Sequence, residues 1–146
     1  TPGHKLAVVP KDERAAWVLD ACDTDAGEAP TGGECVAVVA SIWAVESASA
    51  FLPYPSGRWR GSGEGPLQIA RPQDCWHNSR TGRWCPEWHD ALGGASAVAL
   101  AVAVLRMKWG RFGSTRARFG AYNGGATPGY AARAMTVLRA IESGRR

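Results

Sequence analysis

No apolar run in this chain reaches the roughly 20 residues that a membrane-spanning helix needs. The longest, AVALAVAVL at 97–105, covers about half of that length, so no membrane insertion is expected. An opening Met and a charged-then-apolar leader are also missing; the chain starts TPGHKLAVVP, as a processed or trimmed product would. Internal repeats, low-complexity tracts and linkers are lacking too, which leaves one domain over 1–146. Metal-ligand spacing is absent: no CxxC pair occurs, and His4, His77 and His89 are scattered, so no metal or other cofactor is expected. Charge of one sign is in small surplus. A formal net charge of +4 suits an anionic partner, cell wall or nucleic acid, but ordinary solubility produces the same figure. No nucleic-acid fold signature accompanies it, so no nucleic-acid partner is expected.

What is present describes a globular protein. With 45% hydrophobic and 21% charged residues in 146 positions, the chain can bury a sizeable core. Four cysteines, Cys22, Cys35, Cys75 and Cys85, allow three pairings. Their order suggests two local loops, Cys22 with Cys35 and Cys75 with Cys85, each closing a stretch rich in Gly, Pro, Thr and Asp. Disulfides imply an oxidising, extracytoplasmic location: periplasmic, secreted or virion-associated.

The pattern along the chain is mainly helical. DERAAWVLDAC at 12–22 places apolar residues at 15, 16, 18, 19 and 22 behind an acidic first turn, which predicts a helix. CVAVVASIWAVESA at 35–48 has the β-branched residues of a strand, yet its length and alanines favour a buried helix, with Glu46 in its last turn. Residues 51–66 break into Gly and Pro with single aromatics, as loops or a small hairpin do, and 74–89 form a helix-poor cysteine loop. A helix over 93–113 is stopped by glycine. STRARFGAYNGG at 114–125 then leads through a glycine-rich break to a final helix within 129–144.

A carboxylate at the end of the apolar stretch WAVES, at 43–47, is costly, because a buried unpaired charge is disfavoured and takes up a proton instead. The same cost produces a carboxylic acid that is still protonated near neutral pH, which is what cleavage of a glycosidic bond requires. Three stretches read together carry a resemblance: ES at 46 and 47, GPLQI at 65–69 and AYNGG at 121–125. Their order and separations resemble the lysozyme-like lytic transglycosylase family, related to goose-type lysozymes, whose motifs are Glu-Ser, Gly-Leu-Met-Gln and Ala-Tyr-Asn. The resemblance covers about 36–141, and Pro66 and Leu67 stand where the family commonly has Leu and Met.

The resemblance implies an α+β, mainly α, lysozyme-like fold, with a helical bundle and a loop or small-hairpin region flanking a glycan cleft. It implies a peptidoglycan lytic transglycosylase in which Glu46 acts first as general acid and then as base, closing a 1,6-anhydro ring on the muramic residue. Ser47 would help orient the substrate or the water, Gln68 would bind a sugar N-acetyl or hydroxyl group, and the Tyr122 hydroxyl would hold the Glu46 carboxyl. Asn123, before two glycines, suits a left-handed turn as well as a ligand contact. Peptidoglycan strands are the expected partner, a secretion-system or phage-tail assembly the machine served, and a monomer the expected state.

Two other readings stand beside this one. Most glycosidases use two carboxyl groups. If Glu64 in SGEGPLQ faces the cleft, with Asp74 and Asp90 as weaker candidates, a hydrolytic lysozyme or chitinase results; a non-enzymatic glycan-binding module is the other alternative. Of the seven tryptophans, Trp17, Trp43 and Trp109 are expected in the core. Trp59, Trp76, Trp84 and Trp88 either stack on sugars or cover the cysteine loop, with Arg58, Arg60, Arg71, Arg80 and Arg83 nearby to attract peptide carboxylates.

Overall fold

The computed structural model describes residues 9–46, 63, 64, 67, 69, 70, 76–78, 82–84, 94–123 and 129–144. Among these the fold is mainly helical, built from α1 (Lys11–Asp23), α2 (Gly32–Glu46), α3 (Gly94–Trp109), α4 (Thr115–Asn123) and α5 (Tyr130–Glu142). Between α2 and α3 the backbone makes two short antiparallel pairings. In the first, β1 (Gly63–Glu64) runs beside β2 (Ile69–Ala70); in the second, β3 (Trp76–Asn78) runs beside β4 (Gly82–Trp84), with Trp76 opposite Trp84. Strands β2 and β3 lie against α3. No helix among the described residues is long and apolar enough to cross a membrane.

Helix α2 is the central element, packed against α1, α3 and α5. Its sequence is apolar nearly all round, and Cys35, Val38, Val39, Ile42 and Trp43 are buried, which a helix with neighbours on several sides requires. Ser41 is the buried polar residue of the core among the described residues, and its hydroxyl is satisfied by donating to the Ala37 carbonyl one turn back at 2.8 Å. The Trp43 ring stacks on Trp17 with centroids 6.2 Å apart. Trp43 and Trp109 are core residues as expected, whereas Trp17 is only partly buried against the core.

Helix α1 buries Val18, Ala21 and Cys22, so its inner face is rotated from the one read in sequence; Ala15 and Ala16 are exposed and Leu19 is 55% exposed. It has no basic residue in its last turn. Arg106 of α3 supplies that charge from across the fold, donating through Nη2 to the Cys22 carbonyl at 2.8 Å and through Nη1 to the Thr24 carbonyl. A cation at the carbonyl end of a helix is favourable. The disulfide Cys22–Cys35, with Cα atoms 5.8 Å apart, joins the end of α1 to the first turn of α2, the pairing expected from the cysteine order. Cys75 and Cys85 lie outside the described residues.

One helix was not expected. Residues 115–123 form α4, where the sequence suggested only a passage to a glycine break. Thr115 and Gly120 are poor helix formers, but Ser114 caps the helix, accepting a hydrogen bond from the Ala117 amide at 3.2 Å. Phe119, fully buried, fixes α4 to the core. Lys108 and Arg118 fix it to α3: Lys108 Nζ donates to the Ala121 carbonyl at 3.2 Å, and Arg118 Nε donates to the Trp109 carbonyl at 3.0 Å while its guanidinium stands 4.1 Å over the Trp109 ring. Burial against this surface lowers the Lys108 pKa, with Arg111 adding repulsion.

Candidate functional site

Glu46 is the last residue of α2, half-buried at the end of the core helix. Loss of water around the carboxyl raises its pKa to about 7, against an ordinary value of 4.5, and this wins over two groups that pull it down, the Tyr130 hydroxyl and the positive charge of Arg133. The acid is therefore close to half protonated at neutral pH. A group in that state can both give and take a proton without a large driving force in either direction.

Tyr130 and Arg133 belong to the first turn of α5. Helices α2 and α5 run antiparallel: Gly32, Gly33 and Val36 at the start of α2 share a groove with Ile141 at the end of α5, while Glu46 at the end of α2 meets Tyr130 at the start of α5. Tyr130, Ala134 and Leu138 form the buried stripe of α5, one residue per turn. Only 3% of Tyr130 is exposed; its hydroxyl interacts with the Glu46 carboxyl but makes no full hydrogen bond among the described residues. Burial and the Glu46 charge together push its pKa far up, which keeps the phenol neutral. Sequence reading missed Tyr130. It stood at the start of an expected helix, but nothing in the sequence said that this turn faces the last turn of α2.

Tyr122 reaches the same region from α4. Its hydroxyl donates to the Leu67 carbonyl at 2.9 Å, although the sequence reading had it holding the Glu46 carboxyl. The phenol has a single proton to donate, so toward Glu46 its oxygen can only accept, and it can accept from the protonated acid. The hydroxyl end is deeply enclosed while part of the residue's surface stays open; burial first, and the Glu46 charge second, raise its pKa well above the usual phenol value. Leu67 itself has no solvent exposure.

Three of the stretches picked out in the sequence thus meet: Glu46 from WAVES, Leu67 from GPLQI and Tyr122 from AYNGG. Ser47 and Gln68 lie outside the described residues. Asn123 is the final residue of α4 rather than part of the break after it, and Glu64 pairs by its backbone with Ile69 in the β1–β2 ladder; the side chains of both lie outside the described residues. Asp74 and Asp90, Trp59 and Trp88, and Arg58, Arg60, Arg71 and Arg80 lie outside them as well, as do the side chains of Trp76, Trp84 and Arg83.

A separate groove of about 680 Å³ lies at the opposite end of α2, bordered by Leu19, Val36, Ala37 and Ile141. Its lining is apolar apart from Asp23, so it offers no acid and base pair. Among the described residues no group of His, Cys, Asp and Glu could hold a metal ion. A scan against protein-family models finds no match for this chain, and neither does a search of curated proteins or of solved structures.

Proposed function

We propose that the protein is a glycan-cleaving enzyme of the lysozyme-like lytic transglycosylase type, acting on peptidoglycan outside the cytoplasm with Glu46 as its acid and base. The observation that carries this reading is the Glu46 carboxyl, poised near neutrality at the end of a buried helix with two neutral tyrosine hydroxyls around it. The disulfide and the order of the three sequence stretches add support.

In the first step the protonated Glu46 gives its proton to the bridging oxygen between MurNAc and GlcNAc as the bond from C1 to that oxygen breaks. In the second, the carboxylate so formed takes the proton of the muramic C6 hydroxyl while O6 bonds to C1 and closes the 1,6-anhydro ring. No water is consumed. One carboxyl serves both steps, where a hydrolase uses two at a separation that fixes the stereochemistry.

The test is the mass of muropeptides released from purified sacculi. Anhydro products are lighter by one water than hydrolytic ones. Release of anhydro-muropeptides by the parent and none by Glu46→Gln supports the reading; full-mass products assign a hydrolase, and clearance by Glu46→Gln at the parent rate removes Glu46 from the chemistry.

A further inference from the structure

The large apolar side chains that stand exposed among the described residues fall in two places. Leu19, 55% exposed, and Ile141, 39% exposed, border the groove of about 680 Å³ at the start of α2, a volume within the range of about 300–1,000 Å³ that takes up an organic group. Phe112 stands in the turn between α3 and α4. Glycine keeps the groove open: a Cβ built on Gly32 or Gly33 meets nothing within 4 Å. The two places carry opposite charge. No Lys or Arg occurs between Arg14 and Arg58, and three exposed acids belong to the groove and its rim: Asp23 lines it, Asp20 follows Leu19 and Glu34 follows Gly33. Arg106 reaches this corner, but the carbonyls of Cys22, Thr24 and Pro30 take its N–H groups. Arg139 lies about 200° round α5 from Ile141, on the other side of that helix. Around Phe112 the sign is reversed. No Asp or Glu occurs between Asp90 and Glu142, and Arg111 and Arg116, on either side of Phe112 in the chain, are exposed.

We propose that the groove receives the Phe112 turn of a second copy of this chain, with Arg111 and Arg116 meeting the acids at its rim. Knob and groove are different surfaces of one molecule, so the contact is heterologous and each copy offers both halves of it. Burial of the phenyl ring between Leu19, Val36 and Ile141 supplies the attraction, while the oppositely charged rims fix the register and speed encounter. The sequence reading expected a monomer; the complementary patches point to self-association instead. The groove lies at the far end of α2 from Glu46, so the contact leaves that carboxyl uncovered by the groove's occupant and does not rest on the glycan-cleaving reading.

Sedimentation equilibrium of the whole chain tests it, at concentrations up to about 1 mM, where even a weak specific contact is populated. Two variants remove the two halves. Phe112→Ala takes away the knob, and Gly33→Trp fills the groove; Gly33 is in the first turn of α2, where a side chain meets open space without backbone strain. Melting curves check that each variant is folded. The parent should self-associate, and each variant alone should lose about tenfold or more in affinity. An equimolar mixture of the two should form a one-to-one complex, because the Gly33→Trp chain still offers Phe112 and the Phe112→Ala chain still offers the groove. Added salt should weaken the parent's association, and Arg111→Glu should weaken it further, with recovery when that variant is mixed with Asp23→Arg. A parent that stays monomeric over the whole range overturns the proposal. So does association that survives either Phe112→Ala or Gly33→Trp, or a mixture of the two no more associated than its parts.

Discussion

The Tyr122 hydroxyl and the Leu67 carbonyl, 55 residues apart in sequence, are joined by a 2.9 Å hydrogen bond that links α4 to the segment between β1 and β2. Leu67 has no solvent exposure, so water cannot readily replace the donor. Removing the hydroxyl by Tyr122→Phe leaves a buried carbonyl unmet, at a cost of about 1–3 kcal/mol. A urea unfolding curve checks it, with the midpoint expected to fall; wall-clearing rate should fall too, because Tyr122 also lies beside Glu46. An unchanged midpoint would mean that the bond contributes nothing to the folded state.

The pH–rate profile follows from Glu46. The acid must be protonated for the first step, so kcat/KM should decline on the alkaline side with a midpoint near the pKa of about 7. The Tyr130 hydroxyl lowers that pKa, and Tyr130→Phe should therefore move the alkaline limb to higher pH. Arg133→Ala should move it in the same direction, for loss of a positive charge that favours the carboxylate. Profiles of the three proteins on a soluble glycan fragment settle the point; a limb that stays fixed in both variants, or moves down, contradicts the assignment.

Stability should show the same carboxyl from the other side. Folding raises the Glu46 pKa above its unfolded value, so below about pH 4.5 both states carry the proton and the group contributes nothing. As pH rises toward 7 the unfolded chain loses its proton first, and stability falls; above 7 the full penalty is present. The interval from 4.5 to about 7 is worth about 3 kcal/mol at most. Glu46→Gln should thus melt at a higher temperature than the parent at pH 8, with the difference shrinking toward pH 4.5. Equal melting temperatures at pH 8 would show that burial does not penalise the carboxylate.

The Cys22–Cys35 bridge closes a loop of sequence separation 13, and a loop of that size contributes about 3 kcal/mol in the chain-entropy view. Cys22→Ala with Cys35→Ala should lower the melting temperature, and the parent should do the same after unfolding and refolding in reductant. A double variant that melts with the parent would show that Arg106, which holds the same corner, is sufficient alone.

How far the sequence could be read depended on how local each signal was. Helix α2, the position of Glu46 in its last turn and the first disulfide were all legible, because apolar length and cysteine order are properties of contiguous residues. Helix α4 was hidden by Thr115, Gly120 and the glycines that follow it, and only the Ser114 cap with Phe119 and Tyr122 three apart on one face could have revealed it. The face of α1 was misread because alanines at 15 and 16 count as apolar in a pattern yet contribute little to burial. Tyr130 and Arg133 could not be found at all: their role depends on the antiparallel pairing of α2 with α5, a relation across more than 80 residues that no local pattern encodes. The Leu67 carbonyl that takes the Tyr122 proton was not legible for the same reason, since a backbone carbonyl has no signature in sequence.

Helix α2 is pinned at its foot by a covalent bridge and bears the Glu46 carboxyl at its tip, 11 residues and about 16 Å of rigid rod away. Such a pillar transmits tilt: a small swing at the base becomes a larger displacement of the carboxyl. Immobilising the protein on a bead or sensor is therefore best done through the base, around Leu19 and Ile141, where the tether stiffens the pivot and leaves the Glu46 end untethered.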